Sequence, residues 1–542
     1  MDSCSRLLWR LCVIVVITVP LAGCLRATSG GGSAALEGHA GLRRQGERTD
    51  VQLRKDWLRC AALASRLLPT VRQEYRDALV SQANRCTRRY LSSVDGEAPI
   101  AYGAPHVRFA GQDFELEMRG LSPYLAPSFR FHVASDVAIP PYQGNPRPQE
   151  GFGVPVALWA QRCTDAPHCD LFPPEGVFRP ATAWIEAGHE GARPRLIIAD
   201  ADRHGPLNRG DASYPLASDH AAFYAWGTRS SPLRRLGVYG LLGGREVGRR
   251  AGLYLLEDYD PGKRPLIMIH GLGSNPLTWA KLSSAVWNDA ELRDRYQVWH
   301  MVYSTDAPLL VLRRRLQQHL DHAWGVLDPG GDDPARRHAV LVGHSLGGVV
   351  ARLLCADSGD ALWDAAFSRP PASLDADPAD IEVLLELFRF MPYDGVSHAI
   401  FMAAPHRGSP LADATLGRVF HRLVGRRAEE VHALRRVTRA NPAAVREGLR
   451  TSYLNGDLNS IVTLRHSQPI RLAAESLLPA PGVSYHTIAA RKRGAVPEGD
   501  GIVPLSSAVL PGAASTHIVH GGHDLHLNDE AIAEVIRLLH AL

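Results

Sequence analysis

Apolar positions in the N-terminal part of the 542-residue chain recur at helical spacing. Between residues 50 and 98, residues such as Leu53 and Trp57 stand about one turn apart, with polar residues between them. Pro69 interrupts the pattern, because proline breaks the hydrogen-bond ladder of a helix. We predict a helical segment over 50–98, with two helices that meet near Pro69.

The pattern changes to alternating apolar and polar positions after residue 98. Short runs such as Phe114-Glu115-Leu116-Glu117 stand between clusters of Pro and Gly. This alternation is typical of short strands joined by long loops. We predict a β-rich accessory domain over 99–262 and assign it a structural role.

From residue 263 onward, strands that are apolar on both faces alternate with helical segments. The continuous apolar runs are 265–269, 298–303, 339–342, 399–403 and 485–489. Strands buried on both faces and separated by helices indicate a mostly parallel sheet flanked by helices. We predict an α/β domain over 263–542, with an Arg-rich helical insertion at 410–478 as a candidate cap or lid.

The first 23 residues carry the features of an export signal. Arg6 and Arg10 precede an apolar run, 11–19, that has the length of a signal-peptide core and is too short to span a bilayer. The run ends in Leu-Ala-Gly followed by Cys24, which resembles a bacterial lipobox. The resemblance implies a signal peptide over 1–23, cleavage before Cys24 and diacylation of its thiol. The alternative is an ordinary secreted protein in which Cys24 is incidental.

The proposed mature N-terminus begins with a tether. Residues 24–49 include a Gly/Ser-rich stretch at 29–33, whose composition is typical of a flexible linker. Leu25 follows the lipobox Cys in place of the Asp that commonly retains such lipoproteins at the inner membrane. We therefore expect a membrane-anchored lipoprotein of the bacterial cell envelope, at the outer membrane rather than the inner one.

Export places the remaining cysteines in a compartment that permits disulfides. Cys163 and Cys169 bracket a short loop and are expected to pair. Cys60 and Cys86 lie in two helical stretches and are expected to join them. Cys355 stands alone in an apolar helical pattern, so we expect a buried free thiol.

Composition excludes several classes of protein. Sixty Lys and Arg against 56 Asp and Glu give a net charge of +4, which leaves no general basic footprint for nucleic acid. A hydrophobic content of 45% is ordinary for a globular protein and excludes a polytopic membrane protein. We expect no nucleic-acid partner.

The strongest chemical signal is the run Gly343-His344-Ser345-Leu346-Gly347. It fits the pattern G-x-S-x-G, directly after a predicted buried strand and directly before an apolar helix. A sharp strand-to-helix turn at this point projects the Ser345 hydroxyl out of the sheet edge. The motif therefore predicts a serine nucleophile, and the alternative is a purely structural turn.

With that motif in place, residues 263–542 resemble the α/β-hydrolase fold, in particular its lipase-like and GPI inositol-deacylase-like members. The run 270–273, His-Gly-Leu-Gly, resembles the oxyanion loop of such lipases. The resemblance implies that the backbone N–H groups of Leu272 and Leu346 bind the oxyanion. A simple strand-ending turn is the alternative for 270–273.

The acid of the expected triad is assigned by the same resemblance. Asp500-Gly-Ile-Val-Pro resembles the D-G-x-V-P loop that carries the acid in lipase-like relatives. In this fold the acid follows the nucleophile along the chain and precedes the histidine. On this reading Asp500 is the acid that orients the histidine, and Glu498 is the competing candidate. The structural alternative is that Asp500 is only a turn residue before Gly501.

The expected base lies before the last helix, in a segment with four histidines. His523 follows two glycines and is favoured, with His526 as the alternative. The spacing of three between His517, His520, His523 and His526 also admits a metal site. Gly521-Gly522 breaks the helix that would stack these rings, so we expect neither a metal nor an organic cofactor.

Two further segments have no assigned chemistry. Residues 401–409 resemble a loop of lipase-like and inositol-deacylase-like hydrolases, and His406 within it is expected to be structural. Residues 303–308 end another strand at the same sheet edge, where they either line the pocket or turn the chain.

The resemblance implies a serine hydrolase that cleaves carboxylic esters, preferably lipid-like acyl esters, through an acyl-enzyme. The same triad also serves amidases and peptidases, which stay open as an alternative. A third alternative is a non-catalytic lipoprotein whose β-rich domain binds an envelope polymer or protein.

Overall fold

The computed structural model describes residues 35–542, apart from 97–98, 122–126, 189–191, 233–247, 410–427 and 457. The predicted signal peptide, Cys24, residues 25–34 of the predicted tether and part of the predicted cap therefore lie outside the described residues. Residues 35–49, also predicted as flexible tether, are instead helical, so the helical segment begins earlier than residue 50. The described residues from Asp56 to Leu542 form one compact unit, and residues 35–55 belong to another. None of the helices within the described ranges has the length and apolar character needed to cross a bilayer.

The helices and strands of the described residues are numbered in chain order. The α-helices of the described residues are α1 (Ala35–Leu67), α2 (Arg76–Ser93), α3 (Ala201–His204), α4 (Ala222–Ser230), α5 (Ala280–Trp287), α6 (Ala290–Arg295), α7 (Leu309–Leu327), α8 (Leu346–Leu354), α9 (Ala361–Ala366), α10 (Pro378–Phe388), α11 (Glu429–Ala440), α12 (Glu447–Asn455), α13 (Ser460–Thr463), α14 (Pro469–Ala473), α15 (Leu505–Ala508) and α16 (Asp529–Ala541). The strands are β1 (Ile100–Ala101), β2 (His106–Phe109), β3 (Gln112–Arg119), β4 (Ser128–Val133), β5 (Val154–Ala160), β6 (Val177–Glu186), β7 (Arg195–Ala199), β8 (Leu207–Arg209), β9 (Ala212–Tyr214), β10 (Gly252–Leu255), β11 (Arg264–Ile269), β12 (Tyr296–Val302), β13 (Ala339–His344), β14 (Val396–Met402), β15 (Ser484–Arg491) and β16 (Ser515–His520).

The N-terminal half is built on a seven-stranded sheet in the order β1-β4-β5-β6-β7-β3-β2. Its neighbouring strands run antiparallel except for β3 and β7. Tyr90 and Leu91 of α2 and Phe114 and Phe131 of the sheet are buried in one hydrophobic cluster. A two-stranded β8–β9 ladder stands apart from this sheet. Residues 100–214 thus contain the short strands that their alternating pattern predicts.

The C-terminal half has the α/β-hydrolase fold. Its sheet has the order β10-β12-β11-β13-β14-β15-β16, in which every pair is parallel except β10 with β12. Val340 and Val342 of β13 belong to a hydrophobic cluster with α5 and α16, whereas Leu341 belongs to one with α7 and α8. Both faces of the central strand are therefore covered, as its continuous apolar run predicts.

The first strand of this sheet comes earlier in the chain than predicted. β10 starts at Gly252 and pairs along Val302–Trp299 of β12, although the sequence analysis ended the accessory domain at 262. The predicted boundary is therefore too late. An antiparallel edge strand that precedes the parallel set lacks the strand–helix alternation on which the prediction relied.

A buried ion pair and a partly exposed one join the β-rich half to the α/β half. The Arg179 guanidinium donates to Asp258 at 2.8 Å, and both side chains are less than a tenth exposed. Asp202 accepts from Arg293 of α6 at 3.0 Å and contacts His220 at 2.8 Å. A charge removed from water is costly unless it is paired, so the Arg179–Asp258 contact specifies how the β-rich half docks. The structural role of this half stays a prediction.

Two disulfides lie within the described part of the chain. Cys60–Cys86 joins α1 to α2, and Cys163–Cys169 closes the loop after β5. Cys355 is a buried free thiol at the end of α8. Burial raises the pKa of the Cys355 thiol to about 12, so the group stays protonated and unreactive at neutral pH.

The described part of the predicted cap, 428–478, consists of four helices, α11–α14. Helix α13 contacts the carboxyl edge of the parallel sheet through two hydrogen bonds. The Leu309 N–H donates to Thr463 Oγ1 at 3.2 Å, and the Ser460 N–H donates to the Asp306 carbonyl at 3.3 Å. A small cavity lies between α7 and these helices. Its lining is mostly apolar and includes Leu310, Phe388, Val431, Leu434 and Ile470. These helices thus cover an apolar space beside the sheet edge.

Candidate active site

Ser345 occupies the tight turn between β13 and α8. Its backbone has φ 55° and ψ −124°, a conformation that non-glycine residues rarely adopt. The flanking glycines are required by close packing: a Cβ on Gly343 would meet Gly348 Cα at 2.5 Å, and one on Gly347 would meet the Ile269 carbonyl at 2.1 Å. The turn therefore needs the G-x-S-x-G spacing, and it holds the Ser345 side chain at the carboxyl edge of the sheet.

Three side chains predicted as a triad are in contact. His523 Nε2 lies 2.9 Å from Ser345 Oγ, and His523 Nδ1 lies 2.7 Å from Asp500 Oδ2. The other oxygen of Asp500 accepts the backbone N–H groups of Ile502 and Val503, each at 2.7 Å. A carboxylate can only accept, so Nδ1–H donates to Asp500 and Nε2 is free to accept from the Ser345 hydroxyl.

The structure separates these residues from their competitors. The His526 ring packs 5.0 Å from the His344 ring, while His523 is the histidine that contacts Ser345. Glu498 is 63% exposed and forms an ion pair with Arg491 at 2.6 Å. The contacts therefore favour His523 over His526, and Asp500 over Glu498.

His344, inside the G-x-S-x-G motif, holds the loop that carries His523. Its Nε2 donates to the main-chain carbonyl of His523 at 2.9 Å. Burial lowers the pKa of His344 well below its usual value, so the ring stays neutral. This hydrogen bond fixes the base relative to the turn that carries Ser345.

The predicted oxyanion donors lie on the two chain segments that meet at Ser345. Leu346 is the first residue of α8, so its N–H has no acceptor within the helix and lies at the positive end of the helix dipole. On the other side, a Cβ on Gly271 would come within 3.0 Å of Ser345 Cβ. The loop that contains Leu272 therefore packs directly against Ser345, and the role of the Leu272 N–H stays a prediction.

Residues 303–308, whose role the sequence left open, support the predicted oxyanion loop, 270–273. The Tyr303 ring stacks on His270 with 4.4 Å between centroids, and its hydroxyl donates to the His270 carbonyl. Thr305 Oγ1 accepts the Gly273 N–H at 3.0 Å. Burial lowers the pKa of His270 to about 4, so this neighbour of the oxyanion site is neutral at physiological pH. The sequence carried one signal for this contact, because both loops directly follow predicted strands. The two strands, β11 and β12, are parallel neighbours, so the loops after them lie at the same edge of the sheet.

The loop at 401–409 braces the acid loop in a way that the sequence analysis missed. Ser409 Oγ donates to the Ile502 carbonyl at 2.7 Å, and Ser507 Oγ donates to the Gly408 carbonyl at 2.6 Å. His406 packs edge-on against Phe401 and is fully buried, and burial lowers its pKa well below the usual value. The ring of His406 is structural, as predicted, but its neighbours position the loop of the candidate acid.

Comparisons with known proteins bear on the family of this domain. Residues 266–535 match the alpha/beta hydrolase family model. No curated protein matches the chain. Similar solved structures include lipase BlEst2 from Bacillus licheniformis in its mature form, which is 18% identical with a TM-score of 0.28 over 52% of this chain and 94% of that chain.

Two further solved structures are similar. Lipase 1 from Pelosinus fermentans is 12% identical with a TM-score of 0.30, over 52% of this chain and 98% of that chain. Esterase B from Lactobacillus rhamnosis is 16% identical with a TM-score of 0.27, over 53% of this chain and 80% of that chain. Likenesses this weak carry no statement about substrate. The family match, together with the parallel sheet and the strand–Ser345–helix turn at its edge, identifies residues 266–535 as an α/β-hydrolase domain.

Proposed function

We propose that this domain is a serine hydrolase that cleaves carboxylic esters through an acyl-enzyme. The observation that carries the proposal is the continuous contact from Ser345 Oγ through His523 to Asp500, at 2.9 and 2.7 Å. A nucleophile, a base and an orienting acid in contact form the arrangement that activates a serine hydroxyl.

The geometry supports a two-step reaction. The Ser345 hydroxyl attacks the ester carbonyl while His523 Nε2 takes its proton and then delivers it to the leaving alcohol. Asp500 holds the Nδ1–H tautomer and stabilises the imidazolium that forms. The N–H groups of Leu272 and Leu346 would hold the oxyanion, and each such donor is worth about 3 kcal/mol in related enzymes. Water then attacks the acyl-enzyme, with His523 as the base again.

Backbone strain favours catalysis over a scaffold role. The φ of 55° at Ser345 costs on the order of 1–3 kcal/mol, a strain that glycine would avoid. A non-catalytic envelope-binding lipoprotein gains nothing from a serine in this conformation or from a buried Asp500 aligned with His523. Amide or peptide hydrolysis uses the same groups and stays the alternative chemistry.

We propose lipid-like acyl esters as substrates. The support is the apolar lining of the space between α7 and the helices of 428–478, because an acyl chain is apolar and binds to surfaces of this kind.

We also propose that the protein is an exported lipoprotein, anchored by acyl chains on Cys24 and held at the outer rather than the inner membrane. The support is the lipobox-like run before Cys24 and the identity of Leu25. The two disulfides within the described residues fit an oxidising compartment. Labelled palmitate incorporated into the chain, and lost in Cys24→Ala, would test the anchor.

A labelling experiment tests the proposed reaction. A fluorophosphonate probe should label the full chain, and the purified protein should hydrolyse a panel of acyl esters from C2 to C16 faster than matched amides. Higher kcat/KM toward long chains would support the lipid-like substrate, and a strict preference for C2–C4 esters would contradict it. Absence of both labelling and hydrolysis in folded protein would overturn the proposed function.

Asp500→Asn should lower kcat about 10³–10⁴-fold while KM changes little. The amide oxygen of Asn takes the position that accepts the Ile502 and Val503 N–H groups, so its NH2 group faces His523 and donates to Nδ1. The ring then carries its proton on Nε2, which is the wrong tautomer for accepting the Ser345 proton. Steady-state kinetics on a short-chain ester would measure the effect. Glu498→Gln is the matched control, because this carboxylate is exposed and should leave kcat within about twofold. A large loss in the control would instead identify Glu498 as the acid.

Thr305→Val should reduce kcat roughly tenfold and leave KM unchanged. The substitution keeps the shape but removes the oxygen that accepts the Gly273 N–H, so the oxyanion loop loses one hydrogen bond worth about 1 kcal/mol. Thr305→Ser, which keeps the acceptor, should restore most of the rate. Equal losses in both variants would show that packing, rather than the hydrogen bond, matters at this position.

A further inference from the structure

The end of α1 and the turn after it expose large apolar side chains. Leu63, Leu67 and Tyr75 are 55%, 43% and 56% exposed. Leu63 and Leu67 stand four residues apart, so they lie on one face of the helix. The opposite face is buried through Ala64 and Leu68, so the exposed leucines are not part of the core.

Arginines stand among these apolar residues. Arg59 and Arg66 are exposed and lie at helical spacing from Leu63. The side chain of Arg72 in the following turn is 84% exposed and lies 3.8 Å from Glu74, an exposed ion pair of the kind that contributes little. Residues 56–93 contain seven Arg against three Asp or Glu, a net charge of +4, and three of these seven Arg stand at the end of α1 and in the turn after it. We call Arg59, Leu63, Arg66, Leu67, Arg72 and Tyr75 the basic–apolar surface.

We infer that the basic–apolar surface binds the headgroup region of an anionic phospholipid bilayer. Arginines on one helix face attract anionic headgroups, and neighbouring Leu and Tyr side chains enter the boundary with the acyl chains. Positive charge and exposed apolar area in the same segment favour this partner over a neutral or a cationic one. The inference does not depend on the proposed hydrolysis, and the proposed anchor at Cys24 would only bring this surface nearer to the bilayer.

Vesicle binding of the chain from residue 25 onward tests the inference. This chain keeps every described residue and lacks Cys24, so the anchor cannot contribute. Sedimentation with vesicles of phosphatidylglycerol and phosphatidylcholine, at about 0.1 M salt, should show at least tenfold tighter binding than with phosphatidylcholine alone. Raising the salt to about 0.5 M should weaken the binding to anionic vesicles at least tenfold, because the charges are exposed.

Two triple variants separate the contributions of charge and apolar contact. Arg59→Gln with Arg66→Gln and Arg72→Gln should weaken binding to anionic vesicles about 100-fold, since each arginine near such a surface is worth about 1 kcal/mol. Leu63→Ser with Leu67→Ser and Tyr75→Ser should weaken it at least tenfold.

The matched control places the same change elsewhere. Met391→Ser with Val496→Ser removes side chains that are 69% and 96% exposed in the hydrolase domain and should leave vesicle binding unchanged. Unaltered thermal unfolding of all variants would exclude misfolding. The inference would be overturned if binding did not depend on lipid charge or salt and was unchanged in both triple variants. It would also be overturned if the protein bound no vesicles and light scattering showed a dimer that the triple variant with Leu63→Ser converts to a monomer. The surface would then pair two copies of the chain.

Discussion

Ser345→Ala is expected to lower kcat for a short-chain ester by about 10⁵–10⁶-fold and to abolish fluorophosphonate labelling. The substitution removes the atom that forms the acyl-enzyme, and serine hydrolases lose about this much when the nucleophile is deleted. A residual rate of roughly 10³ over water would come from the oxyanion donors and substrate binding, which the alanine leaves intact. Kinetics and in-gel labelling of the purified variant measure both effects.

Ser373→Ala is a matched control, because Ser373 is exposed in a turn far along the chain from the nucleophile. Its rate and labelling should equal those of the unmodified protein. Labelling that persists in Ser345→Ala would show that another residue reacts with the probe. That outcome would contradict the role proposed for Ser345.

A second substitution at this position separates strain from chemistry. Ser345→Gly should be as inactive as Ser345→Ala but more stable to denaturant by about 1 kcal/mol. Glycine adopts a φ of 55° without a steric penalty, and this gain exceeds its extra loss of backbone entropy on folding. Equal or lower stability of the glycine variant would show that the turn stores no strain.

The nucleophile turn and the parallel sheet were predictable because their signals are local. Continuous apolar runs identify buried strands, and glycines at 343 and 347 mark a turn whose backbone approaches β11 too closely for any side chain. Asp500 was found through the short run around it. Each of these signals fits within about ten residues, and patterns of that length can be recognised in a single sequence.

The contacts that support the site were not predictable, because they join distant segments. Thr305 accepts from Gly273, and Ser409 donates to Ile502, across separations that only the strand order of the sheet brings together. The strand β10 was missed for a related reason. No helix separates β10 from β11, the next strand along the chain, so nothing local distinguishes β10 from the strands of the accessory sheet.

His523→Ala is expected to reduce kcat about as much as Ser345→Ala, by roughly 10⁵–10⁶-fold. Nε2 is the group within 2.9 Å of Ser345 Oγ, and without it the hydroxyl keeps its proton and the leaving alcohol receives none. The double variant Ser345→Ala with His523→Ala should be no slower than either single variant, because the two residues act as one unit.

His526→Ala is the control that decides between the two histidines. Its ring packs against His344 rather than against Ser345, so the variant should keep kcat within about tenfold and still label with the fluorophosphonate. The small loss allowed here would arise through His344, whose hydrogen bond to the His523 carbonyl positions the base. If His526→Ala were inactive and His523→Ala active, the proton shuttle would belong to His526, and the contact between His523 and Ser345 would be structural.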